Sequence, residues 1–143
     1  MKGLLRGATR IHVLLYRVTG GRLGGRVGKA PILLLTTTGR RSGRKRTMPL
    51  GNLDEGNAIL ICAANVGSDQ HPGWFWNIKA DPNVRVKMRD EEFAAVARVA
   101  DPEERDRLWD RVIGRLPALI GYQENTDRVI PVVVLRRPGA STE

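Results

Sequence analysis

The hydrophobic pattern of this chain alternates between short apolar runs and polar turns, which is typical of a strand-rich protein. Residues 32–38 begin with four aliphatic side chains and pass into three threonines, and a second run follows at 44–53 after a short turn. We expect the two runs to form an antiparallel hairpin. Pro49 cannot donate to a sheet ladder, so it should mark a sheet edge or a bulge in the second strand.

Four further strands are predicted along the chain. Residues 58–64 are nearly all apolar, which favours burial on both faces. Residues 84–88 alternate between apolar and cationic side chains, and 93–99 and 128–136 form the remaining runs.

Three helices are predicted. Within residues 3–17, Leu4, Ala8, Ile11 and Leu15 share one face. Residues 74–80 should form a short helix that ends at the polar segment 81–83.

The third helix has a strong start signal. Asp101 is the expected cap, Pro102 fits the first helical position and Glu104 completes a capping box. Pro117 should close the helix, and a loop should carry residues 122–127.

About six mostly antiparallel strands with peripheral helices predict a mainly β protein built as a closed or split barrel. Residues 1–30 form the N-terminal helix and a glycine-rich arm, 31–137 the barrel domain, and 138–143 a disordered tail.

The charged residues are unevenly distributed along the chain, and this distribution points to a binding site. The formal net charge is +9, yet residues 1–50 hold 12 of the 24 Lys and Arg and none of the 15 Asp and Glu. Five cations fall within residues 40–46, between the two hairpin strands. This basic turn predicts an anion site. The alternatives are a solvated basic surface, a nucleic-acid-binding module or contact with an anionic membrane.

Several function classes are excluded by missing motifs. The glycine-rich arm lacks the spacing of a Walker loop, and no GxGxxG, GxSxG or HExxH is present. One cysteine, Cys62, and two histidines are too few for a metal site, and Cys62 should be a buried small hydrophobe. No signal peptide or spanning run is evident, so we expect a cytoplasmic protein, with residues 3–17 as a candidate peripheral anchor at the inner face of the membrane.

The remaining candidate residues predict a binding site for a ligand that has one flat end and one anionic end. Trp74, Phe75 and Trp76 offer apolar walls, with core packing as the alternative, and Asn65 and Asn77 offer directed polar contacts. His71 fits a structural role better than that of a general base. Any redox chemistry here belongs to a cofactor.

Four segments resemble the deazaflavin-dependent nitroreductase and quinone reductase family of actinobacteria. The resemblance runs from about Leu15 to Leu135. Its most specific parts are the Thr-Thr-Gly-Arg-Arg-Ser-Gly turn at 37–43 and the His-Pro-x-Trp-x-x-Asn segment at 71–77. The others are the Tyr-Arg-Val-Thr-Gly-Gly segment at 16–21 and the run 126–133 that begins Thr-Asp-Arg.

The resemblance implies a split β-barrel, similar to those that bind flavin mononucleotide (FMN), that holds coenzyme F-420, an 8-hydroxy-5-deazaflavin with a phosphodiester and an oligoglutamate tail. It implies hydride transfer from C5 of the reduced deazaflavin to a quinone, nitroaromatic or activated enone. The cofactor residues that it implies are Arg40, Arg41 and Ser42 at the phosphate and tail; Arg46, Thr47, Met48, Pro49, Leu50 and Gly51 alongside; Ala63, Ala64, Asn65 and Val66 near the ring; and Gly73, Trp74 and Asn77 on the other side.

The family's tyrosine-rich substrate wall corresponds here to Leu116, Leu119 and Tyr122, which leaves Tyr122 as the candidate hydrogen-bond donor to substrate. An FMN-binding oxidoreductase on the same barrel is the alternative enzyme. A basic module without enzyme activity is the alternative of another class, although the cations are not interleaved with aromatic residues as nucleic-acid binding would favour.

Overall fold

The computed structural model describes residues 26–27 and 30–138. The predicted helix over 3–17, the rest of the glycine-rich arm and residues 139–143 lie outside this range. The described strands are β1 Arg26–Val27, β2 Ala30–Thr38, β3 Lys45–Gly51, β4 Leu53–Asp54, β5 Ile59–Cys62, β6 Asn83–Met88, β7 Glu91–Val99 and β8 Val132–Arg136. The described helices are α1 Gly73–Ala80, α2 Pro102–Arg115 and α3 Ala118–Glu124, with a 3₁₀ turn at Asn65–Gly67.

The strands form one curled antiparallel sheet in the order β1-β2-β6-β7-β8-β5-β4, with β3 paired to β2. Six of the eight described strands have four or more residues. The prediction of a mainly β, mostly antiparallel split barrel with about six strands is therefore confirmed.

The β2–β3 hairpin runs in unbroken register from Ile32 opposite Gly51 to Thr38 opposite Lys45. Within the described sheet β3 pairs only with β2, so Pro49 lies on an edge strand, the first of its two predicted placements. The second strand also ends earlier than predicted. Asn52 leaves the ladder because its backbone and side-chain N–H groups both donate to Pro31 O, at 3.2 and 3.3 Å.

Two apolar clusters lie on opposite faces of the sheet. Ile59 and Ile61 of β5 face the barrel interior with Leu33 and Leu35, while Leu60 faces the outer cluster under α2 and α3. The predicted burial of this strand on both faces is confirmed. The strand is shorter than the predicted 58–64, since Ala64 takes a helical conformation that starts the 3₁₀ turn.

Helix α2 starts as predicted, with the Asp101 side chain accepting from Glu104 N at 2.9 Å. The capping box is only half formed, because the Glu104 carboxylate pairs with Arg98 instead.

The predicted loop over 122–127 is wrong in its first half. Residues 118–124 form α3, because Leu119 packs into the outer cluster after Pro117 starts a new turn. The last strand starts at Val132 rather than 128, because the backbone N–H groups of Arg128 and Ile130 donate to the side chains of Thr126 and Gln123 in place of ladder bonds.

Candidate functional site

The basic turn between β2 and β3 has a compact backbone that favours glycine at two positions. Gly39 N donates to Arg44 O and Gly43 N donates to Gly39 O, both at 2.8 Å. A Cβ on Gly39 would lie 2.8 Å from Ser42 Oγ, and Gly43 has φ +71°. Ser42 Oγ in turn accepts from Arg44 N at 3.1 Å. The turn is thus internally braced, and residues 40–46 are exposed.

Three of the five cations in this turn have no partner among the described residues. The side chains of Arg41, Arg44 and Arg46 make no hydrogen bond or ion pair there, while Lys45 Nζ donates to Thr38 Oγ1 at 2.9 Å. Exposed guanidinium groups without protein partners are suited to phosphate or carboxylate ligands.

Arg40 differs from the other cations because it is bound to α1. Its backbone N–H and its Nη1 both donate to Asn77 Oδ1, at 3.2 and 3.1 Å, and Nη1 also lies 3.4 Å from Gly73 O. Asn77 Nδ2 donates to the buried Thr37 Oγ1 at 3.1 Å. Both polar atoms of the Asn77 side chain therefore bind other residues of the protein, although the resemblance implies a cofactor contact for Asn77.

Along β3, three predicted cofactor residues share the concave face of the sheet. Leu50, Met48 and Arg46 pair in register with residues of β2 that face the interior. The face thus changes from apolar to cationic along the strand toward the basic turn. Thr47 points the other way, and its Oγ1 lies 2.8 Å from Thr36 Oγ1.

The segment after β5 carries an unusual backbone. Asn65 and Val66 both have φ 47°, and Gly67 follows with φ +82°. Val66 is β-branched and 73% exposed, and no apolar packing explains its left-handed conformation. Strained backbone of this kind concentrates at ligand sites. The feature lies where the resemblance places the deazaflavin ring.

Arg128 holds this segment, and the prediction from sequence gave it no separate role. Its guanidinium donates to the carbonyls of Ala63, Ala64 and Ser68 at 3.0, 2.7 and 2.8 Å. Its Nη1 also lies 2.9 Å from His71 Nδ1. The one signal in the sequence was its place in the Thr-Asp-Arg motif.

His71 is a neutral structural residue in this setting. Burial, followed by the charges of Arg128 and Lys79, lowers its pKa below the ordinary value of 6.5. With Arg128 as the donor, Nδ1 must be the unprotonated acceptor. The expectation of a structural role rather than a general base agrees with this geometry.

The three aromatic residues of α1 are divided between core and surface. Trp74 and Phe75 are 5% and 3% exposed and pack in the barrel interior. Trp76 is 42% exposed, with its ring edge-on to His71 and Phe75 at 5.3 Å. Core packing is therefore the better account of Trp74, and Trp76 is the accessible ring.

The predicted substrate residues lie next to the predicted cofactor residues. A Cβ on Gly51 would lie 3.3 Å from a Leu116 methyl, and one on Gly67 would lie 3.0 Å from the Tyr122 carbonyl oxygen. Leu116 and Leu119 are buried in the outer cluster, whereas Tyr122 is half-buried at its margin. Short contacts thus connect the basic turn with α1, α1 with the segment 63–71, and that segment with α3.

A separate cavity of about 400 Å³ lies among the strand ends near Asp54, Met88, Phe93 and Arg137. Its lining contains none of the predicted site residues, so it does not belong to this site. Among the described helices, none combines the length and apolarity needed to cross a bilayer.

Comparisons with known proteins identify the family of this chain. The sequence model of the F420H(2)-dependent quinone reductase family matches residues 8–137. An F420H(2)-dependent quinone reductase of Mycobacterium tuberculosis (strain H37Rv) is 40% identical over 132 residues, covering 90% of this chain and 89% of the relative.

Two solved structures are similar in both sequence and fold. An F420-H2 dependent reductase, FDR-A, is 38% identical with a TM-score of 0.69 and covers 74% of this chain and 94% of its own. A structure described as a domain-swapped dimer is 34% identical with a TM-score of 0.71 and covers 94% and 98%. The chain belongs to the F420H(2)-dependent quinone reductase family.

Proposed function

We propose that this protein is an oxidoreductase that binds reduced coenzyme F-420 and transfers its hydride to a quinone. The observation that carries the proposal is the exposed basic turn, whose Arg41, Arg44 and Arg46 side chains lack protein partners in the described structure. A phosphodiester with an oligoglutamate tail is a polyanion that suits such a donor set.

The cofactor's anionic end would lie on Ser42, Arg41 and Arg46, with Arg40 held at the margin by Asn77. From there it would run along residues 47–51 on the concave side of the edge strand. Ala63, Ala64, Asn65, Val66 and Gly73 would line the ring end, with Trp74 and Asn77 supporting that end from within the protein. The residues come from the resemblance, but Arg40 is moved to the margin by its bond to Asn77, and Arg46 is assigned to the anionic end because its exposed side chain has no partner in the described structure.

When bound, reduced F-420 supplies the hydride, and the protein supplies orientation and a partly dry surface. Leu116 and Leu119 are buried in the outer cluster, so they would form an apolar wall that supports Tyr122 from within the protein, and the half-buried Tyr122 is the candidate donor to a quinone oxygen. Nitroaromatics and activated enones are proposed as further acceptors, since they also take a hydride at an electron-poor centre.

The test is to mix the purified protein with reduced F-420 and menadione and to follow the visible absorbance of oxidised F-420. We expect enzyme-dependent recovery of that absorbance. Absence of F-420 binding by equilibrium titration would overturn the proposal. The FMN alternative predicts a yellow protein as purified, and a turn with five cations exceeds what one phosphate needs.

Quinones partition into lipid, which makes peripheral membrane contact compatible with a cytoplasmic enzyme. The candidate contact, residues 3–17, lies outside the described residues, so the argument rests on its amphipathic pattern. Pelleting with anionic vesicles should fall when residues 1–17 are removed. Equal pelleting of both forms would show that this segment is not an anchor.

A further inference from the structure

The Arg128 side chain donates hydrogen bonds to an unusual set of acceptors. The acceptors are three backbone carbonyls and one imidazole, with no carboxylate among them. Asp69 contributes only a more distant charge, and burial lowers the pKa of Arg128. Burying a guanidinium without a direct ion pair costs solvation energy. The feature of Arg128 that the structure uses is therefore its planar set of N–H donors rather than its charge.

The carbonyls that Arg128 binds lie on both sides of the left-handed turn. Ala63 and Ala64 precede Asn65 and Val66, and Ser68 follows them. One rigid guanidinium thus fixes the distance between the two ends of the turn. A turn with two consecutive non-glycine residues at φ 47° needs such outside support, because its own backbone preferences oppose it.

Arg128 is itself held from the other side. Gln123 Nε2 donates to Arg128 O at 2.7 Å, and Gln123 Oε1 accepts from Ile130 N at 2.9 Å and from Arg105 Nη2 at 3.0 Å. Thr126 Oγ1 adds a bond to Asp69 Oδ1 at 2.9 Å. The guanidinium therefore connects the α2–α3 layer to the turn.

We infer that Arg128 is a positioning residue, whose guanidinium sets the conformation of Ala63–Val66 against the ring end of the cofactor. This inference rests on the proposed function, in which that segment lines the deazaflavin. Arg128 acts through the backbone it binds, and the basic turn acts on the anionic end independently of it.

The test compares Arg128→Ala and Arg128→Lys with the wild type and with Arg111→Ala, a matched control. Arg111 is an exposed arginine of α2 whose side chain pairs with Glu55, in the turn that follows β4. F-420 affinity, KM for reduced F-420 and kcat with menadione are measured for each. Loss of two or more charge-assisted hydrogen bonds should raise Kd and KM for F-420 about tenfold or more in Arg128→Ala.

The remaining measurements distinguish a positioning role of Arg128 from the simple effects of losing its charge or of unfolding the protein. Arg128→Lys keeps the charge but cannot bridge three carbonyls, so it should also weaken F-420 binding, and it guards against failure of the alanine variant to fold. Added guanidinium ion should restore part of the affinity of Arg128→Ala. The pKa of His71, measured by NMR, should move toward its ordinary value in Arg128→Ala, which removes the charge, and less in Arg128→Lys, which keeps it.

The outcomes are distinguishable. If the wild type binds no F-420, the proposed function fails. If the wild type binds F-420 and Arg128→Lys binds it equally well, the inference fails while the proposed function stands. Weakened binding in both Arg128 variants, with an unchanged Arg111→Ala, supports it.

Discussion

Asn77 Oδ1 accepts two hydrogen bonds from a single residue, one from the Arg40 backbone at 3.2 Å and one from its guanidinium at 3.1 Å. Arg40 and Asn77 are 37 positions apart in the chain, and their contact fixes the basic turn to α1. Neighbouring arginines in this turn therefore have different tasks. Arg40 shapes the turn, and Arg41 remains available to a ligand.

The first prediction separates these two arginines. Arg40→Ala should lower the free energy of unfolding by about 0.5–1.5 kcal/mol, because the guanidinium bond to Asn77 Oδ1 is lost while the backbone N–H of position 40 still donates to that oxygen. Arg41→Ala should change that free energy by less than about 0.5 kcal/mol yet weaken F-420 binding about tenfold. Urea unfolding and F-420 titration measure the two effects.

Arg107→Ala, on an exposed position of α2, removes the same charge away from the turn and serves as the control. Equal loss of affinity in Arg107→Ala and Arg41→Ala would mean that net charge alone attracts the cofactor.

The second prediction concerns the left-handed turn. Val66→Gly removes a β-branched side chain from φ 47° and should raise the free energy of unfolding by about 1 kcal/mol. Because the turn then loses rigidity, we expect weaker F-420 binding. Calorimetry with cofactor titration measures both.

Gly67→Ala is the opposite change in the same turn. It should destabilise by at least about 1 kcal/mol, since φ is +82° and the new Cβ would lie 3.0 Å from the Tyr122 carbonyl. A neutral Gly67→Ala would contradict the described conformation of the turn.

The third prediction is a pH dependence of stability that originates in His71. Its pKa is lower in the folded protein than the unfolded value of 6.5, first through burial and then through Arg128 and Lys79. The unfolded chain therefore binds the proton more strongly, and stability is fully present above pH 6.5 and falls as the pH drops through the folded pKa. Melting temperatures measured from pH 8 to pH 5 should decline below neutrality.

His71→Gln removes the titrating group and keeps a polar side chain, so it should flatten this decline. An equally steep decline in the variant would assign it to other groups.

The fourth prediction concerns the thiol of Cys62. Burial raises its pKa to about 12, against a smaller opposing effect of Arg105. The thiolate is the reactive form, so iodoacetamide at pH 8 should leave the folded protein unmodified and alkylate it rapidly in denaturant. Fast alkylation of the native protein, seen by mass spectrometry, would contradict the packing of this half-buried thiol against the outer cluster.

Local signals explain the elements that were predicted from sequence. The β2–β3 hairpin follows from two apolar runs around a glycine-bounded turn, and α2 begins at Asp101 because a cap and a proline act within one helical turn. Helix α3 was missed because it is short, and its stability comes from burial of Leu119 against distant strands.

The cofactor roles of the basic turn and of the segment 63–66 stay predictions. The structure adds the contacts that connect the turn to α1 and that hold the segment in place. The sequence does not reveal that Arg40 is bound by Asn77, or that Arg128 reaches carbonyls up to 65 positions away. Partners at such distances depend on the packed sheet, and no spacing rule encodes them.

The close approach of Gly51 and Leu116 limits how the substrate specificity of such an enzyme can change in evolution. Gly51 ends the strand proposed to run beside the cofactor, and Leu116 belongs to the proposed acceptor wall, yet a Cβ at position 51 would lie only 3.3 Å from a Leu116 methyl. A larger side chain at 116 has to displace the end of β3. Selection for a new electron acceptor at this position is therefore also selection on cofactor affinity, and the two properties would evolve together.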